Sequence, residues 1–350
     1  MTSTKAWGLA LALLILGAGL APLPASAQER PERPRLRDWL QLRQDQAAQA
    51  APPVPITRPG EHRFSLRHGG LTREYRVHVP ARYDPATPMP MVLSFHGGGG
   101  NMDIQADDRY YGLVSHAEQA GYVVVFPNGT SRLRSGKLAT WNAGLCCGQA
   151  RDRQVDDVGF VRAMVADLRQ RLNIDPGRIF AQGMSNGGML SYRLACEMAD
   201  TFKAIASVAG TDGTPACAPS APVSVLHIHA LDDDRVLFNG GSGSASDTHA
   251  DFVSVPDTVA KWARLNGCEA APRRVLEVPG AWCETRSPCR SGAEVKLCVT
   301  ETGGHAWPGG RKVRGEQPGA SANDLTDERQ LDALSGNAAL NGVPVQVAAA

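Results

Sequence analysis

The chain has 350 residues, 43% of them apolar and 20% charged, with 36 Lys and Arg against 35 Asp and Glu. That length holds one large α/β core or two small ones, and the composition is that of a soluble globular protein. A formal net charge of +1 offers no electrostatic footprint for nucleic acid or for an anionic membrane as partner.

In chain order, the first element is an export signal. Lys5 precedes a continuous apolar run from Ala6 to Leu20, and Ala25-Ser26-Ala27 is a small-x-small cleavage site. The run is too short to span a bilayer, and Pro22 and Pro24 end it. The expected organisation is a signal peptide over 1–27, a Pro, Gln and Ala-rich arm or linker over 28–60, a catalytic domain over 61–315 and a C-terminal tail over 316–350. The expected location is outside the cytoplasm, extracellular or periplasmic, with no membrane contact once the signal is removed.

From Glu61 the pattern becomes that of a folded domain. Phe64-Ser65-Leu66 and Tyr75-Arg76-Val77-His78-Val79 alternate as the arms of a hairpin. Met91–Phe95 and Tyr122–Phe126 are buried parallel-strand runs, with a helix expected between them over Tyr110–Ala120. Val158, Val161, Val165, Leu168 and Leu172 recur at helical spacing, with Asp156 and Asp157 in the first turn. Further strands are expected at Arg178–Ala181, Ala204–Val208, Val223–Ile228 and Val295–Val299, with helices at Gly188–Ala195 and Val255–Asn266. Strands alternating with helices predict an α/β-hydrolase type of α/β fold, a mainly parallel sheet covered by helices on both faces.

All eight cysteines follow the signal. An even number in an oxidising compartment predicts disulfides. Cys146 and Cys147 are adjacent, so each is expected to reach a distant partner, with Cys196 and Cys217 as candidates. No Cys-x-x-Cys pair with matching histidines suggests zinc.

The chemistry gathers around Gly183-Met184-Ser185-Asn186-Gly187, the sole Gly-x-Ser-x-Gly of the chain. A serine on a tight turn between a strand and a helix is held with its hydroxyl exposed, and Ser185 is the expected nucleophile. The N–H of Asn186 then lies at a helix N-terminus, where a developing oxyanion is stabilised. A serine hydroxyl needs an imidazole to take its proton, and the imidazole needs a carboxylate to fix its tautomer. Later strands are followed by Leu231-Asp232-Asp233-Asp234-Arg235-Val236 and by Gly303-Gly304-His305-Ala306-Trp307. His305 is the expected base, and Asp233 the expected acid, with Asp232 as the alternative. His227 and His229 share one strand face and are read as buried core histidines, not metal ligands. After the Phe95 strand comes His96-Gly97-Gly98-Gly99-Gly100-Asn101, a loop that supplies a second oxyanion donor. Gly98 is the expected one, with Gly99 as the alternative. No metal and no cofactor is called for.

Six segments together carry a family resemblance. They are His96–Asn101, Phe126-Pro127-Asn128-Gly129, Trp141–Gly148, Val155–Phe160, Gly183–Met189 and Gly304–Gly310. On these the chain resembles the secreted esterases grouped with poly(3-hydroxybutyrate) depolymerases and feruloyl or acetylxylan esterases. The resemblance implies nucleophile Ser185, base His305, backbone donors at Gly98 and Asn186, and an acid loop of the form His-Gly-x-x-Asp-x-x-Val that puts the acid at Asp233. Here that loop has Ala230 in place of the glycine and Asp234 after the acid, where the family commonly has proline. It implies ester or polyester substrates: hydroxyalkanoate polymers or plant-wall feruloyl and acetyl esters. Trp141, Trp307 and Phe238 are candidates for an aromatic substrate wall, Trp141 and Trp307 foremost. A serine peptidase of the same fold is the rival enzyme, and a catalytically silent polymer- or glycan-binding module the rival of another class.

Overall fold

A computed structural model describes residues 53–313 apart from 249, 269 and 270, together with a short strand pair, Ala339–Leu340 with Val343–Pro344. The signal segment, the arm up to residue 52 and most of the tail lie outside the described residues.

The first hairpin forms as the alternation predicts. β1 (Gly60–His68) and β2 (Leu71–Val79) pair antiparallel around Gly69-Gly70. The body reaches back before β1. Ile56 is buried, and its N–H donates to the Arg171 carbonyl at 2.8 Å, so the end of the expected arm packs on the domain.

Six strands then run parallel. β3 (Met89–Phe95) lies between β4 (Val123–Pro127) and β5 (Ile174–Met184), and β6 (Ala204–Val208), β7 (Ser224–Ala230) and β10 (Val295–Thr300) continue the sheet. Their buried stretches are mostly apolar, as those of a strand covered on both faces must be, although β5 opens with the partly exposed Asp175–Arg178. β8 (Arg273–Val278) and β9 (Ala281–Arg286) form a second antiparallel edge on β10. The spatial order is β1-β2-β4-β3-β5-β6-β7-β10-β9-β8. The sheet is therefore parallel in its centre and antiparallel at both edges. The second edge escapes the sequence pattern because β8 is half exposed and carries Arg273, Arg274 and Glu277.

Alternation along the strands builds two cores. Met91, Leu93 and Phe95 face one side with α5 (Asp157–Arg171), α6 (Asn186–Glu197) and α7 (Val255–Leu265). Val92, Val124 and Phe126 face the other with α1 (Met102–Gln105), α2 (Asp108–Tyr111) and α3 (Leu113–Ala120). A further short helix is α4 (Gly148–Asp152). Burying one large apolar side chain stabilises by about 1.5–3 kcal/mol, and Tyr192, Trp262 and Phe160 are among the largest fully buried. The helix expected over Tyr110–Ala120 is broken at Gly112, which sits in the left-handed region at φ +62° and ends α2. α5 starts where Asp156 accepts the Gly159 N–H, and Arg169 and Arg171 complement its last turn.

The cysteines pair differently from expectation. Cys146 joins Cys147 across a cis peptide bond, with Cα atoms 3.1 Å apart. The distant partners considered for them are occupied, because Cys196 pairs with Cys217. Cys268–Cys289 and Cys283–Cys298 complete the set, the last joining directly opposed residues of β9 and β10.

Candidate active site

Parallel strands bring their carboxyl ends to one end of the sheet. The loops after β3, β5, β7 and β10 therefore meet around a cavity of about 460 Å³ lined by Gly98, Ser185, Asn186, His305 and Trp307 among others. That volume is typical of a small-molecule site.

Ser185 joins β5 to α6 at φ +55°, ψ −123°, a conformation that favours glycine. Such a residue costs about 1–3 kcal/mol and persists only where its surroundings over-determine it. Here the surroundings are glycines. A Cβ on Gly187 would overlap the Phe95 carbonyl, and one on Gly183 would overlap the backbone of Gly187. The turn can close against β3 only because neither carries a side chain. Ser185 Oγ makes no hydrogen bond among the described residues; it shares the cavity wall with His305.

The loop after β3 lies against this turn. A Cβ on Gly97 would come 3.6 Å from Ser185 Cβ, and one on Gly98 would come 3.6 Å from Asn186 Cβ. Gly99 donates its N–H to the Ala139 carbonyl at 2.8 Å, so it is not free to serve a ligand. The N–H groups of Gly98 and Asn186 have no partner among the described residues. His96 props the loop: its Nδ1–H donates to the Gly97 carbonyl at 2.8 Å, and Nε2 accepts the Gly129 N–H at 3.0 Å. Burial pushes its pKa down to about 4, so the ring is neutral.

Trp141 corrects an expectation. It is fully buried, not part of the cavity wall, and its ring meets Phe95 edge-on at 5.4 Å. Its indole N–H donates to the His96 carbonyl at 3.0 Å, which draws it behind the glycine loop. Its backbone clasps Asn186: Trp141 N–H donates to Asn186 Oδ1 at 2.7 Å, and Asn186 Nδ2 donates to the Trp141 carbonyl at 3.0 Å. Trp141 therefore ties the glycine loop to the Ser185 turn from behind and does not line the cavity. Phe238 likewise packs on the core, edge-on to His229 at 6.1 Å. Trp307 does line the cavity, and Tyr111, Leu138 and Phe252 join it as apolar walls the sequence reading did not single out.

The geometry separates the three aspartates. His305 Nδ1–H donates to Asp233 Oδ2 at 2.8 Å. Asp233 Oδ1 accepts the N–H groups of Arg235 and Val236, both at 2.9 Å. Asp232 instead accepts the N–H groups of Gly303 and Gly304, fastening the His305 loop. Asp234 is exposed. Burial works to raise the Asp233 carboxyl, but hydrogen bonds from His229 and His305 outweigh it and hold the group well below the usual carboxylate range.

His227 and His229 are buried, as expected of core histidines, and they also form a chain ending at Asp233. His229 Nε2–H donates to the Val236 carbonyl at 2.8 Å and stands 3.3 Å from Asp233 Oδ2. Its Nδ1 accepts from His227 Nε2 at 3.1 Å, and His227 Nδ1 accepts the Tyr192 hydroxyl at 2.8 Å. Burial, helped by His229, holds His227 well below its ordinary value and therefore neutral. The signal for this support was the i, i+4 spacing of His229 and Asp233. Among the described residues, no group of three His, Cys, Asp or Glu is arranged to hold a metal ion.

The chain is 31% identical over 330 residues to "Putative esterase NocK" of Nocardia uniformis subsp. tsuyamanensis, covering 88% of this chain and 90% of that one. The chain belongs to this esterase family. It is also 33% identical over 247 residues to feruloyl esterase B of Piromyces equi, covering 68% of this chain and 44% of that longer protein. The prolyl oligopeptidase family matches residues 111–212, under a third of the chain. Among solved structures, acetyl xylan esterase from Aspergillus awamori superposes with a TM-score of 0.50 at 14% identity, covering 71% of this chain and 95% of that one. This last likeness concerns the fold, an α/β-hydrolase type of sheet.

Proposed function

We propose that this esterase works through an acyl-enzyme on Ser185. Ser185 Oγ attacks the ester carbonyl while His305 takes its proton. The Asp233 carboxylate holds the imidazole in the tautomer whose Nε2 is free to do so and stabilises the cation that forms. The N–H groups of Gly98 and Asn186 receive the oxyanion. His305 then protonates the departing alcohol, and water attacks the acyl-enzyme by the same route in reverse order. The observation that carries this reading is the 2.8 Å bond from His305 to a buried Asp233 in the cavity that also holds Ser185.

The proposed substrates are feruloyl or acetyl esters of plant-wall polysaccharides. The feruloyl esterase name of a relative supports this, and so do apolar walls suited to an aromatic or short acyl group, Tyr111, Leu138, Phe252 and Trp307. Four cysteine pairs fit an oxidising compartment, and with the N-terminal apolar run they support export. The test is a substrate panel: methyl ferulate, acetylated xylan, a polyhydroxybutyrate film, and the amide analogue of the ferulate ester. Hydrolysis of a wall ester, with the amide far slower, is expected. Turnover of the polyester alone would replace the substrate class. Amide cleavage at a matched rate would favour the peptidase that the prolyl oligopeptidase match brings to mind.

A further inference from the structure

The charge around the cavity is one-sided. The whole chain balances 36 cationic against 35 anionic side chains. Along the cavity wall stand three cations, Arg235, Arg311 and Lys312, and a single carboxylate, Asp247. Asp247 lies 3.1 Å from Arg235 and pairs with it. Arg311 and Lys312 have no ion pair and no hydrogen bond among the described residues. Among the described residues the excess is therefore local and unneutralised.

Its position is specific. The turn after Trp307, closed by the Gly310 N–H on the Trp307 carbonyl at 3.0 Å, carries the chain back toward the His305 loop. Lys312 Nζ comes so close to Gly304 that a Cβ there would lie 3.2 Å from it. Lys312 thus stands against the loop that presents His305, and Arg311, its neighbour in the chain, lines the same cavity. In acyl transfer this histidine hands its proton to the departing alcohol, so the alcohol half of an ester leaves on their side of the cavity.

We propose that Arg311 and Lys312 form an anion subsite for the alcohol half of the substrate, and that esters whose alcohol carries a carboxylate are the preferred class. The inference rests on the acyl-transfer reading above. An exposed arginine and a half-exposed lysine steer and hold an anion but are screened by salt, so the effect belongs in KM and in salt dependence. The carboxylate stays on the released alcohol, which makes that product a competitive inhibitor.

The probes are 4-acetoxybenzoate and its methyl ester, which share the acetyl group and the ring and differ in the charge of the alcohol half. The native protein is expected to show a KM about tenfold lower for the anion at low salt, an advantage that shrinks at about 0.5 M NaCl. The Arg311→Gln/Lys312→Gln double variant is expected to lower the anion-to-neutral ratio of kcat/KM by about tenfold. An unchanged ratio in the variant, or one indifferent to salt, overturns the subsite. A second pair puts the charge on the acyl half: mono-4-nitrophenyl glutarate against 4-nitrophenyl butyrate. If the double variant shifts this ratio instead, the assignment to the alcohol half is wrong. A 3-hydroxybutyrate dimer and an acetylated glucuronic acid, run side by side, distinguish a hydroxy acid from an acidic sugar as the source of the carboxylate. Should the native protein hydrolyse none of these esters, the acyl-transfer reading fails. The anion site is then read by calorimetric titration with 4-hydroxybenzoate. Salt-sensitive binding lost in the double variant upholds it, and absence of binding overturns it.

Discussion

The two halves of the candidate site are held by different means. Around Ser185 the work is done by main chain and by missing side chains: a serine at φ +55°, glycines that let the turn approach β3, and N–H groups without partners among the described residues. Around His305 it is done by side chains: a buried carboxylate that accepts from His305 and from the Arg235 and Val236 N–H groups with His229 3.3 Å away, a second aspartate fastening the loop, and two histidines behind them. Backbone geometry is set by residues adjacent in sequence, whereas a side-chain network is assembled from residues far apart. The first half should fail abruptly on substitution. The second should fail by degrees, according to how near each group stands to the imidazole.

The largest effect is expected at the nucleophile. Ser185→Ala should lower kcat by about a millionfold, with an unchanged melting temperature to show that the fold survives. Next comes Asp233→Asn, which favours the wrong histidine tautomer and should cost about ten-thousandfold in kcat. His229→Gln removes a donor from the Asp233 carboxylate but leaves the triad itself. It should cost about one to two powers of ten in kcat, with KM for a small soluble ester little altered. Asp232→Asn, which loosens only the loop, should cost about tenfold or less. Steady-state kinetics on one ester ranks all four. A ranking in which Asp232→Asn exceeds Asp233→Asn would reverse the roles of the two carboxylates.

The smallest effect is expected from pH. His96, beneath the glycine loop, has its pKa pushed by burial from 6.5 to about 4, and His116 has the same shift. A depressed folded value means that the stability is fully present above 6.5 and is lost as pH falls through about 4. Asp233 is also depressed, but from 3.8, so its contribution is lost only at still lower pH. His227, behind Asp233, is depressed by burial as well, so acidification below 6.5 should weaken both halves, the nucleophile half through His96 and the His305 half through His227. Trp141, whose ring lies 4.9 Å from His96, is placed to report the former. Melting temperature and tryptophan fluorescence should begin to fall below about pH 6.5. A flat response down to pH 4 would contradict the neutral, load-carrying role of His96.

The same division decides what was legible in the sequence. The strand, serine turn and helix around Ser185 read directly from contiguous residues, as did six of the inner strands. Gly98 was expected with Gly99 as the alternative, but the contact that engages the Gly99 N–H, the carbonyl of Ala139 forty positions away, leaves no mark in the sequence. Trp141 looked like a substrate wall because an aromatic residue beside a motif carries no mark of which face it presents. The hydrogen bond to His96 decides that. Cys146 and Cys147 were assigned distant partners on ordinary bridge geometry, and the pairing of Cys196 with Cys217 removes those partners. The β8–β9 edge was missed because a half-exposed strand lacks the apolar run that marks the central ones. His229 was rightly placed in the core, yet its contact with Asp233 depends on how the acid loop folds back over β7.

The central claim is that one serine carries the acyl group. It is tested most directly by reacting the native protein with a fluorophosphonate and mapping the adduct by peptide mass spectrometry. The account predicts a single modification on Ser185, loss of ester hydrolysis in proportion to labelling, and no labelling of the Ser185→Ala variant. Ester hydrolysis that persists in the fully labelled protein, or an adduct on any other residue, would contradict it.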